Sequence, residues 1–121
     1  MHSLLFIEDD DQIRLALTMA LEDEGYTVRE APDGASGLAA FAEREADLVL
    51  LDLRLPDMNG TDVARSLRRT TETERIPIVA LSASSYTWSP DRLRSAGFDG
   101  YLQKPIDVRA FPDQVRSFCK R

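Results

Sequence analysis

The sequence predicts an α/β fold in which a doubly wound, parallel sheet is covered by helices on both faces. Three observations carry that prediction. Apolar runs of strand length alternate five times with amphipathic stretches of helix length. The runs Leu4-Leu5-Phe6-Ile7 and Leu48-Val49-Leu50-Leu51 are continuous rather than alternating, as in strands buried on both faces. Acids or hydroxyls then close several of these runs, which places polar groups at the strand ends where open α/β sheets bind ligands.

The elements follow in order. Ser3 to Ile7 reads as a strand, and residues 10 to 24 as a helix with Ile13, Leu17, Ala20 and Leu21 on one face. Gly25 is its expected stop. Tyr26 to Ala31 reads as a second strand. A second helix follows Asp33-Gly34, with Leu38, Phe41 and Ala42 as its apolar face. The third strand ends at Asp52, and the third helix follows Gly60 with Val63, Ala64 and Leu67 inward. Ile76 to Leu81 is a fourth apolar run closed by Ser82. Ser89-Pro90-Asp91 then supplies an N-cap, an N1 proline and an early acid, and Gly97 a stop. A short fifth strand lies near Gly100 to Gln103. Phe111, Val115, Phe118 and Cys119 give the last helix its stripe, with Cys119 expected as a core filler. Right-handed crossovers restrict the topology of such a chain, and the expected architecture is a flavodoxin-like (βα)5 three-layer sandwich with strand order 2-1-3-4-5.

At 121 residues and 43% hydrophobic content, residues 1–121 fit one domain with a single core. The formal charge of -6 argues against direct nucleic-acid binding. Cys119 is the sole cysteine, which excludes an intrachain disulfide and a multi-thiolate metal site. The run from Ala46 to Leu51, already broken by Asp47, falls far short of the roughly 20 residues a membrane helix needs. No basic leader precedes it. A cytoplasmic protein without membrane insertion is expected.

In strand order 2-1-3-4-5 the first and third strands are neighbours, so Glu8-Asp9-Asp10-Asp11 converges with Asp52. Two like charges about 4 Å apart repel by about 4 kcal/mol at an effective dielectric near 20, so protons or a cation must compensate. Hard oxygen donors suit Mg²⁺, with Mn²⁺ as an alternative, and a backbone carbonyl near Arg54 offers a further ligand. A carboxylate beside such an ion can act as a nucleophile toward phosphorus. Lys104 after the fifth strand and Ser82 after the fourth offer a cation and a hydroxyl for phosphoryl oxygens. Asp10 and Asp11 read instead as a helix N-cap and a first-turn acid.

Taken together, Ile7-Glu8-Asp9-Asp10, the stretch from Leu51 to Gly60, Ala80-Leu81-Ser82-Ala83 and Gly100-Tyr101-Leu102-Gln103-Lys104-Pro105 resemble the receiver domain of two-component response regulators. The resemblance covers essentially the whole chain. It implies that Asp52 accepts a phosphoryl group from the phosphohistidine of a sensor histidine kinase or a histidine phosphotransfer protein. It also implies that Glu8, Asp9, Asp52 and the Arg54 carbonyl hold Mg²⁺, and that Lys104 and Ser82 contact the phosphoryl oxygens. Tyr101 matches the family's switch aromatic, read out around the fourth helix, fifth strand and fifth helix to a downstream protein target. The same resemblance raises the expectation of a cis Lys104–Pro105 bond. Ser82 in place of threonine, Ile106 in place of phenylalanine and the polar stretch from Thr70 to Arg75 depart from the pattern without removing a chemical group.

The expected function is a stand-alone phosphoacceptor switch rather than a turnover enzyme. A receiver excised from a hybrid kinase or a larger regulator has the same sequence features. A pseudo-receiver that works without phosphorylation predicts lost pocket residues, and none is lost. An Asp-nucleophile phosphatase needs a second acid two residues after the nucleophile, where this chain has Arg54.

Overall fold

The computed structural model describes residues 3–70, 76–83 and 89–119. Strands β1 (Ser3–Ile7), β2 (Thr27–Ala31), β3 (Leu48–Asp52), β4 (Ile78–Ser82) and β5 (Gly100–Gln103) alternate with helices α1 (Asp11–Asp23), α2 (Gly34–Glu43), α3 (Gly60–Thr70), α4 (Pro90–Ser95) and α5 (Phe111–Phe118). All strand pairs are parallel and the order is β2-β1-β3-β4-β5. The predicted fold class and strand order are therefore observed. Residues 71–75, most of the polar stretch that departs from the family pattern, lie outside the described residues. No helix among the described residues is long and apolar enough to cross a membrane.

The period-2 geometry of a strand explains the three layers. Leu4, Phe6, Leu48, Leu50, Val79 and Leu81 face one way and pack with Leu17 and Leu21 of α1 and Phe111 and Val115 of α5. Leu5, Ile7, Val49, Leu51, Ile78 and Ala80 face the other way, against Phe41 of α2, Val63, Ala64 and Leu67 of α3, and Leu93 of α4. Every residue of β3 and β4 is buried, whereas the edge strands β2 and β5 are largely half-exposed. Burying one such Leu, Ile or Phe side chain contributes roughly 2 kcal/mol by transfer alone, so the central strands carry much of the stability.

The helix ends follow the predicted chemistry. Asp10 caps α1 by accepting from Gln12 N at 2.9 Å and Ile13 N at 3.0 Å, with Asp11 in the first turn. Ser89 Oγ accepts from Arg92 N at 3.2 Å with Pro90 next to it. Gly25 and Gly97 follow their helices with φ of 96° and 106°, the left-handed region glycine tolerates best.

Three expectations need correction. Ala42 is exposed; α2 buries Gly34, Gly37 and Phe41 instead, because the absent side chains let the helix backbone approach the sheet. A Cβ on Gly37 would lie 2.5 Å from Ile7 Cδ1. The fourth strand starts at Ile78, two residues late, after Pro77, whose ring leaves no amide for a ladder. Helix α5 ends at Phe118, so Cys119 is its C-cap, half-buried at the edge of the core, where burial pushes the thiol pKa up.

At the lower end of the sheet, before β4 and β5 begin, the Arg68 guanidinium of α3 reaches two separate segments. It donates to Gly97 O at 3.0 and 2.8 Å and to Ile76 O at 2.8 Å, and pairs with Asp99 at 2.5 Å. Asp99 Oδ2 also accepts from Ile78 N at 2.9 Å.

Candidate functional site

Parallel pairing puts the ends of β1, β3, β4 and β5 along one edge of the sheet, and each delivers a polar residue there. Glu8 follows β1, Asp52 ends β3, Ser82 ends β4 and Lys104 follows β5. Glu8 is fully buried, Asp52 is 4% exposed and Ser82 7%, while Asp9 is exposed. Glu8, Asp9, Asp52, Arg54, Ser82 and Lys104 line one shared cavity of about 270 Å³.

The ammonium of Lys104 lies between two of the acids, 3.0 Å from Asp52 Oδ2 and 2.9 Å from Glu8 Oε1. The contact with Asp52 is a hydrogen bond; that with Glu8 is an ion pair without good hydrogen-bond alignment, so buried Glu8 Oε1 has no hydrogen-bond donor among the described residues. Glu8 Oε2 accepts from Asp10 N at 3.1 Å, and Asp52 Oδ1 from Arg54 N at 2.9 Å. Each carboxylate is thus held on one oxygen by backbone and on the other by Lys104.

The charges respond to this crowding. Burial, reinforced by the neighbouring Asp52, raises the Glu8 pKa from 4.5 to about 7, against the opposing pull of Lys104. Burial alone lowers the Lys104 pKa, but Glu8 and Asp52 outweigh it and the net shift is upward. Lys104 is therefore the cation the converging carboxylates require, and it supplies only one positive charge for three acids. Glu8, Asp9 and Asp52 each present an oxygen within 4.8 Å of the others. A buried carboxylate oxygen without a donor, in an all-oxygen cluster short of positive charge, fits a hard divalent cation.

Backbone fit fixes the strand ends. Lys104 N donates to Ser82 O at 2.7 Å, Leu53 N to Leu81 O at 3.0 Å and Gly60 N to Leu53 O at 2.9 Å. A Cβ on Gly60 would lie 2.5 Å from Asp52 O, so only glycine lets α3 start this close to Asp52. The Lys104–Pro105 peptide is cis. Tyr101 packs against the core next to Ala80, its hydroxyl buried and without a hydrogen-bond partner among the described residues.

Two residues at the site were not singled out from the sequence. Arg14 donates to Glu8 O at 2.6 Å while pairing with Glu30 and Asp11 at 3.0 and 2.6 Å, and so ties the acidic turn to α1 and β2. Its place one turn into a helix that starts beside the acids was the available signal. Asp57, read only as part of the stretch from Leu51 to Gly60, reaches the N-terminus of α2 with both oxygens. Nothing local in the sequence marks that contact.

Comparison with known proteins agrees with this geometry. The family model described as the response regulator receiver domain matches residues 4–116. The transcriptional regulatory protein CseB of Streptomyces avermitilis is 36% identical over 118 residues, covering 98% of this chain and 49% of that protein. The DNA-binding response regulator MtrA of Mycolicibacterium smegmatis is 37% identical over 118 residues, covering 98% and 50%. The chain spans about half the length of such relatives. Among solved structures, the chemotaxis response regulator CheY4 of Vibrio cholerae superposes with a TM-score of 0.91 at 24% identity, covering 98% of each chain, a likeness of fold. A receiver domain from Methylobacillus flagellatus gives 0.85 at 27% identity, again over 98% of each.

These relatives overturn one expectation. Nucleic acid was excluded as a direct partner on the charge of -6, yet relatives are named as DNA-binding and transcriptional regulators. The charge of these 121 residues describes their own surface and nothing of the longer proteins they match, so the exclusion is withdrawn.

Proposed function

The chain belongs to the response regulator receiver family, and on that premise we propose that Asp52 is a phosphoacceptor whose modification changes what the domain binds. One observation carries the proposal: Lys104 joins acids delivered by β1 and β3 in a single cavity. An Asp52 oxygen attacks the phosphorus of a phosphohistidine, an O–P bond forms, and the electron pair of the broken N–P bond returns to the imidazole. The Arg54 amide holds the carboxylate in place, so the reaction relies on positioning.

Glu8, Asp9 and Asp52, with the Arg54 carbonyl, would hold the divalent ion. Bound there, Mg²⁺ or Mn²⁺ supplies charge neutralisation for the transferring phosphoryl oxygens. Lys104 and the Ser82 hydroxyl engage the oxygens of the attached group. Tyr101 reads the change: a hydroxyl buried without a partner among the described residues makes its inward position costly, and an equilibrium so poised is easily biased. The domain handles only its own phosphoryl group. Position 54, where a hydrolase would carry its second acid, is arginine.

Incubation with acetyl phosphate and Mg²⁺ tests the reading by intact mass. The wild type gains one phosphoryl group and Asp52→Asn gains none. A wild type left unmodified by both acetyl phosphate and a phosphorylated kinase overturns it.

A further inference from the structure

The loop between Asp52 and α3 turns back on itself: Arg54 and Asn59 form an isolated antiparallel bridge, and Gly60 N closes on Leu53 O at 2.9 Å. Its tip carries Pro56, Asp57 and Met58. The tip does not project freely into solvent. Asp57 Oδ1 accepts from Gly34 N at 2.8 Å and Oδ2 from Ala35 N at 2.9 Å, the first two amides of α2. Met58 lies over the same turn, where a Cβ on Gly34 would be 2.3 Å from its Cγ.

A helix leaves four amides without partners at its start. In α2 the helix's own cap, Asp33, provides for the third helical amide, its side chain accepting from Ser36 N at 2.8 Å, while its carbonyl takes the first intrahelical bond, from Gly37 N at 3.0 Å. The first two are left to Asp57, more than twenty residues along the chain. Those two amides, Gly34 first, hold the exposed Asp57 carboxyl below the usual carboxylate range, so it stays charged and docked. Helix α2 is itself pressed onto β1 where Gly37 meets Ile7, the residue before Glu8. One helix therefore touches both halves of the acidic site: the strand that ends at Glu8 and Asp9, and the loop that carries Arg54.

We propose that Asp57 is a positioning residue for the divalent-cation site, acting through the Arg54 loop by anchoring it to the N-terminus of α2. This deepens the reading of the site as a cation-dependent phosphoacceptor and rests on it. Asp57 touches neither the cation nor the phosphoryl group. It fixes the loop whose Arg54 amide binds Asp52 Oδ1 at 2.9 Å and whose Arg54 carbonyl would ligate the cation.

The experiment is a calorimetric Mg²⁺ titration of the wild type, Asp57→Ala and Asp33→Ala, with amide hydrogen exchange measured in chelator. Asp57→Ala is expected to weaken Mg²⁺ binding about ten-fold, and to speed exchange of the Arg54 amide without metal. Asp33→Ala removes the other side-chain cap of α2 and leaves the loop anchor intact. It lowers the melting temperature by roughly 4 °C with Mg²⁺ affinity and Arg54 exchange unchanged. Asp57→Asn, which keeps the shape and one acceptor oxygen, falls between wild type and Asp57→Ala and serves where the alanine variant folds poorly. Wild-type Mg²⁺ affinity and Arg54 exchange in Asp57→Ala overturn the proposal, as does an equal loss of Mg²⁺ affinity in Asp33→Ala, which would assign the effect to the stability of α2. A wild-type chain that takes up no Mg²⁺ instead overturns the reading of the whole site.

Discussion

Replacing Glu8 with glutamine should flatten the pH dependence of stability. Glu8 is fully buried, and its pKa rises from 4.5 in an unfolded chain to about 7 in the folded one. That rise corresponds to about 3 kcal/mol. The folded state holds the Glu8 proton more tightly than the unfolded state does. The corresponding stability is therefore fully present below pH 4.5, is lost as pH climbs toward about 7, and has gone above it. For a domain of this size the loss is roughly 12 °C in melting temperature. Thermal unfolding in chelator at pH 5 and pH 8 measures it. The wild type should lose about three quarters of that more than Glu8→Gln between the two pH values, the remainder having gone below pH 5, and Mg²⁺ at pH 8 should restore more in the wild type than in the variant. Identical pH dependence in the two proteins would refute the assignment of the burial strain to Glu8.

Two further predictions concern the partners of that site. Lys104→Met removes the ammonium 3.0 Å from Asp52 and 2.9 Å from Glu8 and should destabilise the metal-free protein by about 3 kcal/mol at pH 8, as read by urea unfolding; an unchanged midpoint contradicts the ion-pair argument. Tyr101→Phe deletes a buried hydroxyl with no partner among the described residues and should stabilise the domain by about 1 kcal/mol, whereas a loss of similar size would show that the hydroxyl is bonded.

Much of this fold was legible because strand patterning and helix-end chemistry are local. The continuous apolar run before Asp52, the cap at Asp10 and the stop at Gly97 each need only their own neighbours in the chain to be recognised. Convergence of Glu8, Asp9, Asp52, Ser82 and Lys104 followed from strand order, since a parallel sheet brings its strand ends to one edge. What escaped the sequence was contact by long polar side chains across the fold. Asp57 on α2 and Arg14 on the Glu8 carbonyl depend on how elements sit in three dimensions, and their residue types suit a solvated surface equally well. Ala42 failed for a related reason: two glycines, which no hydrophobic stripe counts, turned out to be the packed face of α2. The repulsion expected among the acids was right in kind, but Lys104 had been assigned to the incoming phosphoryl group rather than to the resting pocket.

The Arg68 contacts have a mechanical consequence. With one guanidinium gripping Gly97, Ile76 and Asp99, the end of α4 and the starts of β4 and β5 are riveted to α3. Whatever shifts at the opposite end of the sheet has to swing about that rivet, since sliding would tear several hydrogen bonds at once. Six residues of α4 make a lever arm of roughly 9 Å. A tilt of about ten degrees would carry its far end through roughly 1.5 Å, enough to open or close a contact at the domain surface while leaving the base of the fold undisturbed.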